Sequence, residues 1–216
     1  MTPLAPLLEA FFTERLQQHR RASPHTVAAY RDTFRLLLRF AEKRVGRQPS
    51  DLLLADIDVP FIGSFLSHLE QDRKSSARSR NARLSAIRSF FHFIAAREPG
   101  HSALIQRVLA MPQQRFDRNL VAFLTRPEID ALLAAPDKTT RLGRRDHALL
   151  VFAVQTGFRV SEITALRVED LAFGVGAHAR CLGKGRKERC TPLTASTATV
   201  VRAWISETHA AGPNLL

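Results

Sequence analysis

The stretch TGFRVSE, residues 156–162, decides how the second half of this chain folds. It places Gly157 between an apolar helical run and a second, more polar one. Glycine readily adopts the left-handed conformation that closes many helices, so we predict that one helix ends at Gly157 and that another begins near Val160. Arg159 then lies at a tight turn beside a helix start, which is a rigid position for a guanidinium group.

A second motif, GKGRKER at residues 183–189, follows after a short interval. Its two glycines indicate a turn, and we expect a β-hairpin over residues 178–193. A Walker-type phosphate loop is excluded, because that loop needs Ser or Thr directly after its lysine at the start of a helix. Lys184 is therefore expected on the hairpin turn. From the residues alone, its ordinary interpretation is an exposed loop lysine.

The rest of this half is predicted to be helical. Thr125 and Glu128 form a capping-box pattern in front of the first helix. Apolar residues recur at helical spacing in each segment. The predicted helices cover residues 129–135, 144–155, 160–166 and 194–211.

The first half of the chain shows helical periodicity only. Ser23 is a candidate N-cap with Pro24 in the first turn, and Gly46 ends the same helix. Either Asp56 or Asp58 can start the next one. The predicted amphipathic helices cover residues 4–18, 24–45, 59–70 and 75–96, and a short helix precedes a polar linker that ends near residue 119.

The helix predicted over residues 75–96 carries a polar stripe that is well rotated from its apolar face. An arginine-rich stripe suits a phosphate backbone. An ordinary solvated face explains it equally well. The stripe consists of Arg78, Asn81, Ser85, Arg88 and His92.

The composition favours a polyanionic partner. Lys and Arg number 32 against 20 Asp and Glu, the net charge is +12, and the isoelectric point is near 11.2. A hydrophobic content of 45% is enough for packed cores, so extensive disorder is excluded. There is neither a run of eighteen apolar residues nor a secretory signal, and we expect a cytoplasmic protein without membrane contact. Cys181 and Cys190 are expected to be unpaired thiols.

The chain resembles the tyrosine recombinases, the phage-integrase and Xer-like family that cuts and rejoins DNA. The resemblance rests on the motifs at residues 156–162 and 183–189, on SPHTVAAY at residues 23–30, and on RNARLSAIRSFF at residues 80–91. It implies a mainly α fold with a small β-hairpin or sheet. The implied parts are a four-helix SAM-like core-binding domain (residues 1–110), a linker (111–122) and a truncated α+β catalytic domain (123–216).

The resemblance also implies roles for single residues. Arg159 matches the first catalytic arginine, which binds the scissile phosphate, and Glu162 matches a supporting acidic residue. Lys184 matches the general acid for the leaving 5′ oxygen. Without the resemblance, Arg159 paired with Glu162 or Asp170 on the surface is the commoner interpretation.

The implied partners are double-stranded DNA and other recombinase protomers. Arg186 and Lys187 on the hairpin join the helical stripe as expected DNA-binding residues. We find no metal cluster and no cofactor loop in the sequence, so neither a metal nor a cofactor is expected.

The sequence departs from the family pattern after Lys184. No His-x-x-Arg motif follows, and the single tyrosine, Tyr30, falls on an apolar helical stripe, where core packing is expected. We therefore expect a DNA-binding protein of recombination that lacks its nucleophile and is inactive alone. The alternatives are a non-catalytic DNA-binding factor and one half of a split recombinase completed in trans. A catalytic domain of this length is also expected to leave the apolar face around Trp204 uncovered.

Overall fold

The structure is a computed structural model that describes residues 2–19, 22–117, 121–183 and 187–208. The chain divides into two compact units, Met1–Asn119 and Leu120–Leu216. Helices dominate both, and the second unit also contains a three-stranded antiparallel sheet. The predicted fold class is therefore confirmed.

The first unit is built from helices. Helix α1 runs directly into a π-helix, and the remaining helices follow in chain order, with short 3-10 turns at Pro49–Asp51, Leu54–Asp56 and Pro99–His101. The helices are α1 (Leu4–Ala10), the π-helix (Phe11–His19), α2 (Pro24–Val45), α3 (Val59–Gln71), α4 (Ala77–Ile94) and α5 (Ser102–Leu109).

Capping residues set where these helices begin and end. The Ser23 hydroxyl accepts a hydrogen bond from Thr26 N at 3.3 Å, and Gly46 ends α2 with a φ of 72°. Asp58 is the residue that caps α3, because its carboxylate accepts from Phe61 N at 2.8 Å. An unpaired N–H at a helix start needs such an acceptor.

The segment predicted as one α-helix over residues 4–18 changes to a π-helix at Phe11. The wider π turn lets both Phe11 and Phe12 contact the ring of Phe34, at centroid distances of 6.0 and 5.9 Å. Hydrophobic spacing over so few residues does not separate the two helix types, so the sequence could not show the change.

One apolar core fills the first unit. Every helix contributes to it, including the short α5, and each fully buried large side chain adds about 1.5–3 kcal/mol to stability. Representative members are Leu4, Phe11, Leu37, Phe65, Phe91 and Ile105.

The second unit combines helices with the small sheet. Its elements are α6 (Arg126–Ala134), α7 (Arg141–Thr156), α8 (Val160–Thr164), β1 (Leu171–Ala172), β2 (His178–Leu182), β3 (Glu188–Pro192) and α9 (Ala195–Thr208). Strand β2 is central and pairs antiparallel with both neighbours, and its register with β3 sets Cys181 opposite Arg189. Strand β1 was not predicted, because two residues are too few to show a period.

The prediction of an uncovered Trp204 face is wrong. Trp204 is only 6% exposed, Val201 and Ile205 are also buried, and α9 packs along α7. Arg144 of α7 and Glu207 of α9 reinforce this packing with two hydrogen bonds of 2.8 Å. Periodicity shows that α9 has an apolar face but not which helix covers it.

Candidate functional site

Arg159 is held at a turn between two helices. Helix α7 ends at Gly157, whose φ of 64° is left-handed, as predicted, and whose N–H donates to Ala153 O at 2.9 Å. Phe158 is buried, and Arg159 is the N-cap residue of α8. The Arg159 side chain is 66% exposed. The turn therefore fixes the backbone while the guanidinium faces solvent.

Glu162 is a buried carboxylate that binds Arg159 twice. Its side chain is 7% exposed, its Oε2 accepts from Arg159 N at 2.8 Å, and its Oε1 accepts from Arg159 Nη1 at 2.9 Å. The Arg159 backbone N–H is the main cause that lowers the pKa of Glu162, and the charges of Arg159 and Arg189 lower it further. Glu162 therefore stays ionised as an anchor for the exposed guanidinium.

This pairing settles which carboxylate Arg159 contacts. Asp170, the other predicted partner, accepts instead from Arg167 N at 2.9 Å. Binding to Glu162 through Nη1 leaves other N–H groups of the exposed Arg159 guanidinium directed to solvent, and a guanidinium fork can bind two phosphate oxygens at once.

Arg189 of β3 is a further member of this cluster, which the sequence did not single out. Its Nη2 donates to Glu162 Oε2 at 2.6 Å and to Cys181 Sγ at 3.7 Å, and its guanidinium lies 5.5 Å from the centre of the Phe158 ring. The hydrogen bond to Cys181 and the charge of Glu162 raise the pKa of Arg189. Its place depends on the register of the hairpin, which motif spacing alone does not give.

The base of the hairpin turn lies beside the same carboxylate. Gly183 N donates to Lys187 O at 2.8 Å, and a Cβ added at Gly183 would lie 3.6 Å from Glu162 Oε1. Two predicted site residues, Lys184 and Arg186, lie outside the described residues. Lys187 is described and exposed.

The predicted stripe of α4 divides in the structure. Ser85, Arg88 and His92 line an open cavity of about 550 Å³. Arg15 of the π-helix, Tyr30 of α2 and Ser89 of α4 complete its lining. Arginine, histidine and hydroxyl groups are donors that suit phosphate oxygens. The sequence missed Arg15, Tyr30 and Ser89, because it does not show which helices are neighbours.

The other two stripe residues lie elsewhere. Arg78 is exposed in the first turn of α4. Asn81 is 6% exposed, and its amide both donates to Gln114 O at 2.7 Å and accepts from Gln114 N at 3.0 Å. The predicted surface role of Asn81 is therefore corrected: its side chain binds the segment that follows α5.

The two cysteines are free thiols, as expected. Cys181 is opposite Arg189, whereas Cys190 is opposite Arg180, so the two thiols point to opposite faces of the sheet. Among residues 2–19, 22–117, 121–183 and 187–208, no three His, Cys, Asp or Glu side chains are placed to hold a metal ion. None of the helices described has the length and apolar content needed to cross a bilayer.

Two family models match this chain. The model of the phage integrase family covers residues 122–215. The model of the phage integrase N-terminal SAM-like domain covers residues 10–98.

Curated relatives match nearly the whole chain. The protein named integrase/recombinase y4rC of Sinorhizobium fredii (strain NBRC 101917 / NGR234) is 62% identical over 204 residues, which are 94% of this chain and 61% of that protein. The integrase/recombinase y4rD of the same strain is 43% identical, over 94% of this chain and 73% of y4rD. Tyrosine recombinase XerC of Oceanobacillus iheyensis is 32% identical, over 91% of this chain and 61% of that XerC. The chain thus spans 61% of the length of y4rC and of XerC.

Solved structures share the fold. One is the XerH site-specific recombinase bound to a palindromic difH substrate, in a post-cleavage complex. It matches with a TM-score of 0.65 at 19% identity, over 91% of this chain and 58% of the XerH chain. A lambda integrase tetramer bound to a Holliday junction matches with a TM-score of 0.67 at 18% identity. The match covers 95% of this chain and 57% of the integrase chain.

Proposed function

Because the chain belongs to the phage integrase family of tyrosine recombinases, we propose that it binds duplex DNA and takes part in site-specific recombination. The observation that carries this proposal is the exposed Arg159 guanidinium, anchored at a helix start by the buried Glu162. Such a rigid, solvent-facing fork is what binding of one particular phosphate requires.

The chemistry of strand transfer explains the proposed roles. A phosphate under attack gains charge on its non-bridging oxygens, and fixed cationic donors stabilise that charge. We assign this role to Arg159, with Glu162 as its support. Lys184, at the hairpin turn, is proposed as the general acid that protonates the leaving 5′ oxygen.

The proposed DNA surface of the first unit is the open cavity between the π-helix, α2 and α4. Two arginines and a histidine line it together with hydroxyl groups, and none of the described residues that line it carries a carboxylate. Arg78, Arg186 and Lys187 are proposed as additional phosphate contacts. In this proposal residues 1–110 form a core-binding domain, residues 111–122 a linker and residues 123–216 part of a catalytic domain.

We propose further that this polypeptide makes no covalent bond to DNA by itself. A phosphotyrosine linkage needs a tyrosine within attacking distance of the phosphate. The single tyrosine, Tyr30, packs against the core of the first unit, with its ring stacked 6.2 Å from that of Phe11. Two versions follow: a non-catalytic DNA-binding factor, or a partial recombinase whose nucleophile comes from a second polypeptide.

DNA binding is tested by titrating a labelled duplex at several salt concentrations. If about six phosphates are neutralised, log affinity falls with log salt at a slope of about −5. Arg88→Glu, which reverses a charge in the cavity, should weaken binding strongly. Arg107→Glu is the matched control, because it makes the same change at an exposed position on α5. A salt-independent interaction, or equal losses in both variants, contradicts the proposal.

The covalent step is tested with nicked suicide substrates. The chain alone should give no adduct that survives denaturation. If an adduct forms and disappears in Tyr30→Phe, Tyr30 is a nucleophile and the proposal that this polypeptide makes no covalent bond to DNA by itself is wrong. If an adduct forms only after a Xer-type recombinase is added, and Arg159→Ala reduces it, the nucleophile is supplied in trans. If none forms in either case while DNA is bound, the chain is a non-catalytic factor.

A further inference from the structure

We propose that Arg189 is a positioning residue for Arg159, acting through Glu162. This inference rests on the proposed function, in which Arg159 binds the scissile phosphate. It adds Arg189, from strand β3 of the hairpin, to the residues that support Arg159.

The two oxygens of Glu162 have different partners. Oε1 accepts only the Arg159 Nη1 bond among the hydrogen bonds of the described residues, at 2.9 Å. Oε2 accepts from Arg159 N at 2.8 Å and from Arg189 Nη2 at 2.6 Å. Fixing Oε2 from two sides stops the carboxylate from rotating about its terminal bond. Oε1 is thereby kept in the direction of the Arg159 guanidinium.

Arg189 is itself fixed. Strand pairing sets it opposite Cys181, its guanidinium contacts Cys181 Sγ, and the Phe158 ring lies 5.5 Å away. Its side chain is 45% exposed, against 66% for Arg159. Arg189, which is less exposed and less free to move, holds the carboxylate of Glu162. Arg159, which is more exposed, remains accessible to the phosphate.

The same carboxylate connects Arg159 to the hairpin. The backbone of Gly183 lies next to Glu162 Oε1, and strand β3 brings Arg189 to Oε2. One buried anion therefore binds both the Arg159 turn and Arg189 of β3, and Gly183 lies beside it. Removing Arg189 should loosen Arg159 without removing any group that touches the phosphate.

The first test needs no DNA. The Arg159 Nε–Hε signal is identified in a ¹H–¹⁵N spectrum by its loss in Arg159→Lys. In Arg189→Gln this signal should shift and broaden, and the pKa of the Glu162 carboxyl should rise towards its ordinary value of 4.5. Arg167→Gln is the matched control, since Arg167 is an exposed arginine that pairs with Glu169 in the same unit. An unchanged Arg159 signal in Arg189→Gln overturns the inference.

A conservative variant separates positioning from charge and from misfolding. Arg189→Lys keeps the positive charge but loses the planar fork, so it should restore only part of the Arg159 signal. Full restoration would mean that charge alone matters, and the inference would fail. Trp204 fluorescence, from a buried residue of the same unit, reports whether each variant is folded.

The second test is a double-mutant cycle on DNA affinity. Arg189→Gln should lower affinity about tenfold when Arg159 is present and by less than about twofold in an Arg159→Ala background. If the two substitutions lower DNA affinity additively, Arg189 contacts DNA itself and the positioning role is overturned. If the unmodified chain binds no DNA, the proposed function fails, whereas the spectroscopic test of Arg189 still gives its own answer.

Discussion

Asn81 and Gln114 are joined by two hydrogen bonds, one in each direction, between the buried amide of α4 and the backbone that follows α5. Neighbouring Gln113 adds a third, from its Nε2 to Ser85 Oγ at 3.1 Å. The chain is therefore held against α4 up to Gln114, which lies inside the stretch predicted as a linker.

Asn81→Ala should release this segment. The change removes both hydrogen bonds to the backbone of the exposed Gln114, and each contributes about 0.5–1.5 kcal/mol. We expect limited proteolysis to cut sooner between residues 112 and 117, and the free energy of unfolding of the first unit to fall. Gln113→Ala is the control, because it removes only an exposed hydrogen bond and should change stability by less than about 0.5 kcal/mol. Equal proteolysis rates in both variants would contradict this role of Asn81.

Replacing each of two helical glycines by alanine should change stability in opposite directions. A Cβ at Gly143 would overlap the backbone oxygen of Asp137, so Gly143→Ala should destabilise the second unit by at least about 1–3 kcal/mol. A Cβ at Gly63 meets no heavy atom within 4 Å, so Gly63→Ala should stabilise the first unit by about 0.5–1 kcal/mol. Denaturant titrations of both variants measure these changes. A stabilising Gly143→Ala would refute the close contact with Asp137.

The second unit should lose stability in acid. The pKa of Glu162 is lowered chiefly by the Arg159 N–H, and that of Glu207 chiefly by its hydrogen bond from Arg144. A carboxyl whose pKa is lower in the folded state than in the unfolded state stabilises the fold when it is ionised. This stabilisation is fully present above the ordinary pKa of 4.5, and it is lost as the pH falls through the lower pKa of the folded state. Melting followed by Trp204 fluorescence should therefore show a falling Tm below about pH 4.5.

Glu162→Gln tests the source of this acid sensitivity. The variant has no carboxyl to titrate at that site, so its Tm should fall less steeply with pH than that of the unmodified chain. Glu169→Gln makes the same charge change at an exposed position and serves as the control. Identical pH profiles for the unmodified chain and Glu162→Gln would rule out Glu162 as a contributor.

A fragment of residues 1–117 should fold alone. Its core is drawn from helices α1 to α5, the π-helix and the connection between α2 and α3, which contributes Leu52, Leu54 and Ile57. The core contains fully buried phenylalanines from several of these helices. We expect one cooperative thermal transition, followed by circular dichroism, and retention of the Asn81–Gln114 contact as protection from hydrogen exchange. A fragment without a cooperative transition would show that the first unit depends on the second.

The sequence predicted what depends on neighbouring residues. The N-cap at Ser23, the helix end at Gly46, the left-handed Gly157 and the Thr125–Glu128 capping box are confirmed, because each involves positions only a few residues apart. Glu162 was likewise found beside Arg159, one helical turn away.

What the sequence missed depends on pairing between distant elements. Arg189 reaches Glu162 through the register of β3, Arg15 joins Arg88 through helix packing, and Trp204 is covered by α7. Asn81 had the polarity of a surface residue, and only its contact with Gln114 shows why a buried amide is tolerated there. Local patterns carry no information on these partners.

The position of Phe11 has a consequence for synthesis of the chain. Its ring is fully buried against those of Phe12, Tyr30, Phe34, Phe90 and Phe93. Two of these partners lie in α4, so during translation the N-terminal segment must wait until α4 has left the ribosome before its central aromatic ring can be enclosed. Early helices will form and dissolve in the meantime, since short isolated helices are marginal in water. The nascent chain therefore exposes this aromatic segment for most of the time taken to make the first unit, and this is the interval in which a chaperone would act on it.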